Sequence, residues 1–239
     1  MNYFSQQVCI DRNIYHKLNR LANLNNLNKP FFNLMKTSIL PNLPNEIVFI
    51  RHGEKKNKHD IGDLSKTGEI HAKCWLQFFQ DQNRPSTIGL PNSLYAMKMG
   101  HKKDSSNRPY ETILPLSQYL NIPINNKYLR DDHESVITDI LKNNAGKNVL
   151  VCWEHKKIVD LVNEIIKQVN LNNCNLRVKN WGENVVSKID EDSNYSTLWK
   201  ITFEENDIKL YVYPGCAVDD SKNCQFFTNE NKNPTLFSC

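Results

Sequence analysis

Short apolar runs alternate with longer amphipathic segments along the chain from Pro44 onward. A strand-sized apolar run followed by a helix-sized segment, with apolar residues every three or four positions, is typical of a βα unit. Repetition of this unit predicts an α/β fold with a mostly parallel sheet and helices on both faces, which is a three-layer αβα sandwich.

The pattern also gives bounds for the individual elements. The predicted strands of the βα units are Glu46–Ile50, Ser93–Met97 and Lys147–Trp153. The predicted helices that follow them are Ser65–Gln80, Arg108–Leu120 and His155–Val169. Two further apolar runs flank a turn-forming stretch and predict an antiparallel hairpin, Thr197–Phe203 with Ile208–Tyr213.

The two ends of the chain lack this alternation. Residues 1–43 are rich in asparagine and carry one weak amphipathic pattern, so we expect an N-terminal extension that packs as a helix on the domain. Its excess of basic over acidic residues is also compatible with an organelle transit peptide or an arm that faces the phosphate. Residues 214–239 show no periodicity, and we expect a tail that packs on the domain or is partly irregular. The α/β domain itself is predicted to span residues 44–213.

Composition narrows the class of protein. The chain has 239 residues and a net charge of only +4, which is too small to favour a nucleic-acid-binding protein. It has neither an apolar run of membrane-spanning length nor a secretory signal pattern, so we expect no membrane association and a cytoplasmic location. The seven cysteines are odd in number and form no CxxC pair, which predicts free thiols in a reducing compartment.

Basic residues follow three of the predicted strands. Arg51 and His52 come directly after the first, Arg108 opens the helix that follows the second, and His155 follows the last. Ligands of open α/β sheets bind beyond the carboxyl ends of the strands, where these groups would meet. The predicted N-termini of two helices add backbone NH groups at the same edge, so the pattern favours an anionic ligand.

These residues lie in blocks that resemble the histidine phosphatase superfamily, which includes the phosphoglycerate mutases. The resemblance covers about residues 45 to 213, and its blocks stand in the family's order: Arg51-His52-Gly53-Glu54, Leu64-Ser65-Lys66-Thr67-Gly68 with Ala72, Ser106 and Arg108 with Thr112, and Val149 to His155. It implies a phosphoglycerate mutase-like fold and chemistry without a cofactor or a metal.

The resemblance also implies a role for each residue of the site. His52 would be the nucleophile that forms a phosphohistidine, while Arg51, Arg108 and His155 would bind the phosphoryl oxygens. Gly53, which lacks a Cβ, would let the backbone approach the phosphate. The implied substrate is a phosphorylated small molecule or a phosphoprotein.

The general acid is the part of the site that the sequence leaves open. Glu154 precedes His155 and lies near the expected phosphate position, although strand alternation could turn it away. The segment between Arg108 and the last parallel strand offers Asp131, Asp132 and Glu134, of which Asp132 could instead cap a helix. Glu54 is a further candidate.

Three functions are therefore compatible with the sequence. The favoured one is hydrolysis of a phosphomonoester through phosphohistidine on His52. The first alternative is phosphoryl transfer of the phosphoglycerate mutase type, and the second is a noncatalytic phosphate-binding adaptor domain that has lost its acid. A basic loop beside the nucleophile, Lys55 to His59, could steer an anionic substrate or be an ordinary solvated loop.

Overall fold

The structure is a computed structural model that describes residues 42–57, 62–80, 84–169, 195–204, 207–226 and 235–238. The expectations for the N-terminal extension, apart from Asn42 and Leu43, fall outside these residues. The same holds for Lys58 and His59 of the basic loop.

The elements alternate from strand to helix through the first two thirds of the described chain. The strands are β1 (Glu46–Arg51), β2 (Ser93–Ala96), β3 (His101–Lys102), β4 (Ser105–Ser106), β5 (Ile124–Asn125), β6 (Asn148–Trp153), β7 (Thr197–Glu204), β8 (Asp207–Pro214), β9 (Cys216–Val218), β10 (Cys224–Phe226) and β11 (Thr235–Ser238). The helices are α1 (Lys66–Phe79), α2 (Arg108–Leu120), α3 (His133–Asn143) and α4 (His155–Val169).

Seven strands form one central sheet in the order β11-β8-β7-β1-β6-β2-β5. The pairs β1–β6, β6–β2 and β2–β5 are parallel, while β7 and β8 join β1 as an antiparallel hairpin and β11 pairs with β8. The sheet is mostly parallel in strand direction, since five of its seven strands point the same way and only β7 and β11 oppose them, and three of its six neighbouring pairs are antiparallel. The predicted α/β fold and the predicted hairpin are both confirmed.

The helices begin and end close to the predicted bounds. Ser65 caps α1, since its Oγ accepts a hydrogen bond of 3.1 Å from the backbone NH of Gly68. Helix α2 has a proline in its first turn, Pro109, and a second one inside, Pro115. The sequence analysis predicted no residue range for helix α3, although its buried residues Val136, Ile137 and Ile140 form one apolar face.

The core is built around strands that are buried along their length. All six residues of β1 are buried, as are five of the six in β6. Trp75, Phe78 and Phe79 of α1 are fully buried and pack edge-to-face against one another, with Trp75–Phe78 and Phe78–Phe79 ring centroids 5.5 Å and 5.2 Å apart. Burial of such side chains contributes about 1.5–3 kcal/mol each. The parallel pairing of β1 with β6 places the carboxyl ends of these two buried strands side by side.

The described residues after Tyr213 include three short strands, β9, β10 and β11. Strands β9 and β10 form a hairpin that contacts α1, and β11 extends the edge of the central sheet. Cys74 of α1 and Cys224 of β10 form a disulfide, so the expectation that all the cysteines are free thiols is wrong for this pair. Their Cα atoms lie 5.3 Å apart although 150 positions separate them in the sequence, and no spacing rule detects such a pair.

The other described cysteines, Cys152 and Cys216, are free and buried. Burial raises the pKa of both thiols well above the ordinary value, which makes them unreactive core residues. In the part of the chain that the structure describes, no helix has both the length and the hydrophobicity needed to cross a bilayer.

Candidate active site

The predicted basic residues meet at the carboxyl edge of the sheet. Arg51 ends β1 and pairs in register with Trp153 at the end of the adjacent strand β6. The backbone NH of His52 donates to the carbonyl of Trp153 at 3.2 Å, so His52 lies beside the turn that carries Glu154 and His155. Arg51, His52, Arg108 and His155 are each less than a tenth exposed. We call the space they border the phosphate pocket, after the ligand that the sequence leads us to expect.

The ring of His52 is held by its own loop. Its Nδ1 lies 2.8 Å from the carbonyl oxygen of Gly53. Because a carbonyl oxygen can only accept, Nδ1 carries the proton and Nε2 carries a lone pair. Burial, and then the charges of Arg108 and Arg51, lower the pKa of His52 to about 3. The imidazole is therefore neutral at pH 7, as a nucleophile requires.

A buried threonine connects the His52 loop to Arg108. The backbone NH of Gly53 donates to Thr112 Oγ1 at 2.8 Å, and the same hydroxyl donates to the carbonyl of Arg108 at 2.7 Å. A Cβ on Gly53 would lie 3.0 Å from the carbonyl oxygen of Gly68, so the loop packs closely on α1 as well. Both sides of the loop are thus fixed by neighbouring helices.

Arg51 lies against an aromatic ring that sequence reasoning missed. Its Cζ is 4.0 Å from the ring centroid of Tyr195, which precedes β7. This is a cation–π contact, and it fixes the plane of the guanidinium. The sequence gives no signal for Tyr195, because the residue lies 144 positions from Arg51 and belongs to no motif of the site.

His155 is the first residue of α4 and is paired with the residue before it. Its Nδ1 lies 2.9 Å from Glu154 Oε1 as an ion pair, and among the described residues neither ring nitrogen has a partner with hydrogen-bond geometry. Burial by itself would raise the pKa of the Glu154 carboxyl, but the close contact with His155 and the charge of His155 outweigh it and lower that pKa to about 2. Glu154 and His52 each influence the pKa of the other, which is consistent with the closeness of the His52 backbone to Trp153, the residue before Glu154.

The other candidate carboxylates have different surroundings. Asp131 is exposed and forms ion pairs with Arg130 at 2.7 Å and Lys157 at 3.0 Å, and hydrogen bonds from these two groups hold its pKa well below the ordinary value. Asp132 stands at the N-cap position of α3, but its side chain accepts from the backbone NH of Leu129 at 2.8 Å instead of capping the helix. Glu134 is exposed in the first turn of α3.

Glu54 forms a pair with a buried histidine that sequence reasoning also missed. His71 Nδ1 lies 3.0 Å from Glu54 Oε1, and His71 Nε2 lies 2.9 Å from the carbonyl oxygen of Cys216 in β9. The ring of Trp75 is stacked with His71 at a centroid distance of 5.9 Å. The pair therefore connects the His52 loop with α1 and with the hairpin of β9 and β10.

No metal centre is evident within the described residues, where no three His, Cys, Asp or Glu side chains are placed to share an ion. The phosphate pocket itself offers two guanidinium groups and two imidazoles. Such a set of donors suits an anion with several oxygens better than it suits a cation.

Comparison with known proteins finds similar solved structures at low sequence identity. No family model matches the sequence, and no curated protein does. One similar solved structure is a putative phosphohistidine phosphatase from Agrobacterium tumefaciens, with 12% identity and a TM-score of 0.41, over 71% of this chain and 96% of that one. Another is a mycobacterial glucosyl-3-phosphoglycerate phosphatase with inorganic phosphate, with 12% identity and a TM-score of 0.40, over 71% of this chain and 95% of that one.

Proposed function

We propose that this protein hydrolyses phosphomonoesters through a phosphohistidine intermediate on His52. The observation that carries the proposal is the state of His52, a neutral imidazole whose Nδ1 is occupied by the Gly53 carbonyl and whose Nε2 lone pair is left for attack. Two buried arginines and His155 border the same pocket, so a phosphoryl group beside His52 would have cationic or hydrogen-bonding partners for its oxygens.

The reaction takes place in two displacements. In the first, His52 Nε2 attacks phosphorus, the P–N bond forms, and the bond from phosphorus to the ester oxygen breaks while that oxygen receives a proton. In the second, a water molecule attacks phosphorus, the P–N bond breaks, and the water gives up one proton. The products are an alcohol and inorganic phosphate, and His52 returns to its neutral form.

Arg51, Arg108 and His155 stabilise the negative charge of the transition state. Charge spreads over the nonbridging oxygens as phosphorus is transferred, and donors fixed in advance stabilise it without reorganisation. The cation–π contact with Tyr195 and the Thr112 bridge keep two of these donors in place. Loss of one such donor is expected to raise the barrier by about 3 kcal/mol, by comparison with oxyanion-hole donors.

Glu154 is proposed as the proton donor to the leaving oxygen and as the base for the attacking water. Its pKa of about 2 means that it starts as a carboxylate. A bound phosphate dianion beside it raises that pKa by like-charge repulsion and so favours the protonated form. Asp131, held near the site through Lys157, is the alternative donor.

The test measures phosphate release from p-nitrophenyl phosphate and from an alkyl phosphate such as glycerol 2-phosphate. We expect His52→Ala to abolish both activities, whereas the control His133→Ala in α3 retains them. We expect Glu154→Gln to reduce alkyl phosphate hydrolysis much more than nitrophenyl phosphate hydrolysis, because nitrophenolate leaves without protonation. An acid-labile, base-stable phosphoenzyme that depends on His52 would identify the intermediate, and full activity of His52→Ala would refute the proposal.

Phosphate binding without turnover is the second candidate function. The ionised state of Glu154 favours it, because a pocket without a protonated acid can hold phosphate and fail to cleave its esters. In that case inorganic phosphate raises the Tm of the wild type, by linkage, while no phosphoester in the panel is hydrolysed.

A further inference from the structure

A short hairpin stands beside the phosphate pocket and takes no part in the steps above. It comprises residues 98–106, in which β3 and β4 pair through His101 with Ser106 and Lys102 with Ser105. It follows the carboxyl end of β2, which is hydrogen-bonded to β6, the strand that leads to Glu154 and His155. It therefore rises from the same edge of the sheet as the pocket, and we call it the basic hairpin.

Specific hydrogen bonds hold the basic hairpin at both of its sides. On one side, the Asn107 side chain accepts from the backbone NH of Gly100 at 2.9 Å. On the other, Arg130 donates from Nη1 to the carbonyl of Lys103 at 3.1 Å and from its backbone NH to the carbonyl of Asp104 at 2.9 Å. The carbonyl of Arg130 in turn accepts from Trp153 Nε1 at 3.0 Å. The hairpin is thus tied to both flanks of the pocket.

The basic hairpin carries more positive than negative side chains. Lys98, Lys102 and Lys103 are all exposed, and so is His101, whereas Asp104 is the one carboxylate in the stretch 98–106. Within the described residues no ion pair engages these three lysines, in contrast to Lys157 and Lys200, which pair with nearby carboxylates. Like charges held together repel one another, and an anionic ligand relieves that repulsion.

A single side chain, that of Asn107, also links the basic hairpin to Arg108 of the phosphate pocket. Asn107, which directly precedes Arg108, donates to Asp63 Oδ1 at 2.7 Å, and its Nδ2 lies 3.3 Å from His101 Nε2. The carboxylate of Asp63 contacts this junction and is already engaged by Asn107. The hydrogen bond from Asn107 is the main cause that lowers the pKa of Asp63, and the charges of His101, Lys56 and Arg108 add to it.

We infer that the basic hairpin binds a second anionic group, a phosphate or a carboxylate, of the same small molecule whose phosphoryl group lies against His52. This inference rests on the proposed function and narrows its substrate class to phosphate esters with at least one further negative charge. Arg130 contacts the hairpin through the carbonyls of Lys103 and Asp104, and Asp131 is held in its ion pairs with Arg130 and Lys157.

The experiment compares two substrates that differ by one phosphate, glucose 6-phosphate and glucose 1,6-bisphosphate. The quantity of interest is the ratio of their kcat/KM values. We expect the wild type to favour the bisphosphate by about tenfold, and the double variant Lys102→Gln with Lys103→Gln to lose most of that preference, since two ion contacts in water account for a factor of about this size. Raising the ionic strength should reduce the wild-type preference as well.

The matched control removes two exposed lysines from the opposite end of the sheet, Lys142→Gln with Lys147→Gln, and should keep the wild-type ratio. A wild-type ratio near one, or an equal fall in both double variants, overturns the inference. An acidic phosphopeptide that outcompetes the bisphosphate would also overturn it, since it would indicate a macromolecular partner.

Failure of the proposed function is distinguishable from failure of this inference. If no ester is hydrolysed, the same comparison is made by calorimetric binding of inorganic phosphate and of pyrophosphate to the wild type and both double variants. A preference for pyrophosphate that depends on Lys102 and Lys103 then supports the second anion site without catalysis. Equal affinity for the two anions overturns it.

Discussion

His52 couples the stability of this protein to pH, because burial and, after it, two arginines oppose its protonation in the folded state. Its pKa is about 3 in the folded chain, against the ordinary value of 6.5 that it takes in an unfolded one. As pH falls below 6.5, the unfolded chain takes up the proton first. The stability that this group contributes is therefore complete above about pH 6.5 and is lost progressively toward pH 3.

Replacement of His52 by Asn should make the protein less sensitive to acid. Between about pH 7 and about pH 4 the wild type is expected to lose about 3 kcal/mol more of its free energy of unfolding than the variant, from a shift of this size at one site. Urea unfolding at a series of pH values measures the difference. Identical pH profiles for the two proteins would mean that His52 is protonated in the folded state as easily as in the unfolded one.

The His71–Glu54 pair belongs to the scale of elements, because it joins the loop after β1 to α1 and β9. In His71→Leu the carboxylate of Glu54 and the carbonyl of Cys216 lose their partner, whereas the amide of Gln at this position can still donate to both. We expect His71→Leu to lower the free energy of unfolding by about 2 kcal/mol and to lower kcat.

The matched variant His71→Gln distinguishes positioning from packing. If the His71–Glu54 pair positions the His52 loop, the His71→Gln variant has a kcat close to the wild-type value, and KM changes little in either variant. If His71 only fills space beside Trp75, Leu and Gln lower kcat to the same extent. Steady-state kinetics on p-nitrophenyl phosphate, together with thermal unfolding, separates these outcomes.

The Cys74–Cys224 disulfide links the hairpin of β9 and β10 to α1. It thereby holds in place the carbonyl of Cys216, which His71 contacts. A crosslink over 150 positions restricts the unfolded chain and is expected to contribute about 5 kcal/mol in the chain-entropy account. We expect dithiothreitol to lower the urea midpoint of the wild type strongly. A double variant Cys74→Ala with Cys224→Ala should show no response to the reductant, and an equal response in both proteins would contradict the role of this bond.

At the scale of the whole molecule, the parts that the sequence predicted are those encoded locally. The apolar run of β6 and the regular spacing of Ile158, Leu161, Val162 and Ile165 in α4 are complete within a short window, so their bounds were close to those observed. The convergence of Arg51, His52, Arg108 and His155 followed from a rule of parallel sheets, since the carboxyl ends of parallel strands share one edge.

The parts that the sequence did not predict depend on contacts between distant positions. Tyr195 meets Arg51, His71 meets the carbonyl of Cys216, and Cys74 meets Cys224, with separations of 145 and 150 positions for the last two. No periodicity within a short sequence window encodes these contacts, because they depend on how the helices pack on the sheet. The short strands β3, β5 and β9 were missed for a related reason, since two or three residues cannot display a period.

The disulfide has one more consequence, which concerns covalent connectivity rather than stability. The bond between Cys74 and Cys224 closes the backbone between them into a ring that contains Arg108 and His155. His52 lies outside the ring, in the segment before Cys74. A single protease cut within the ring opens it but releases no fragment, so every residue of the phosphate pocket stays covalently attached to the others until the bond is reduced.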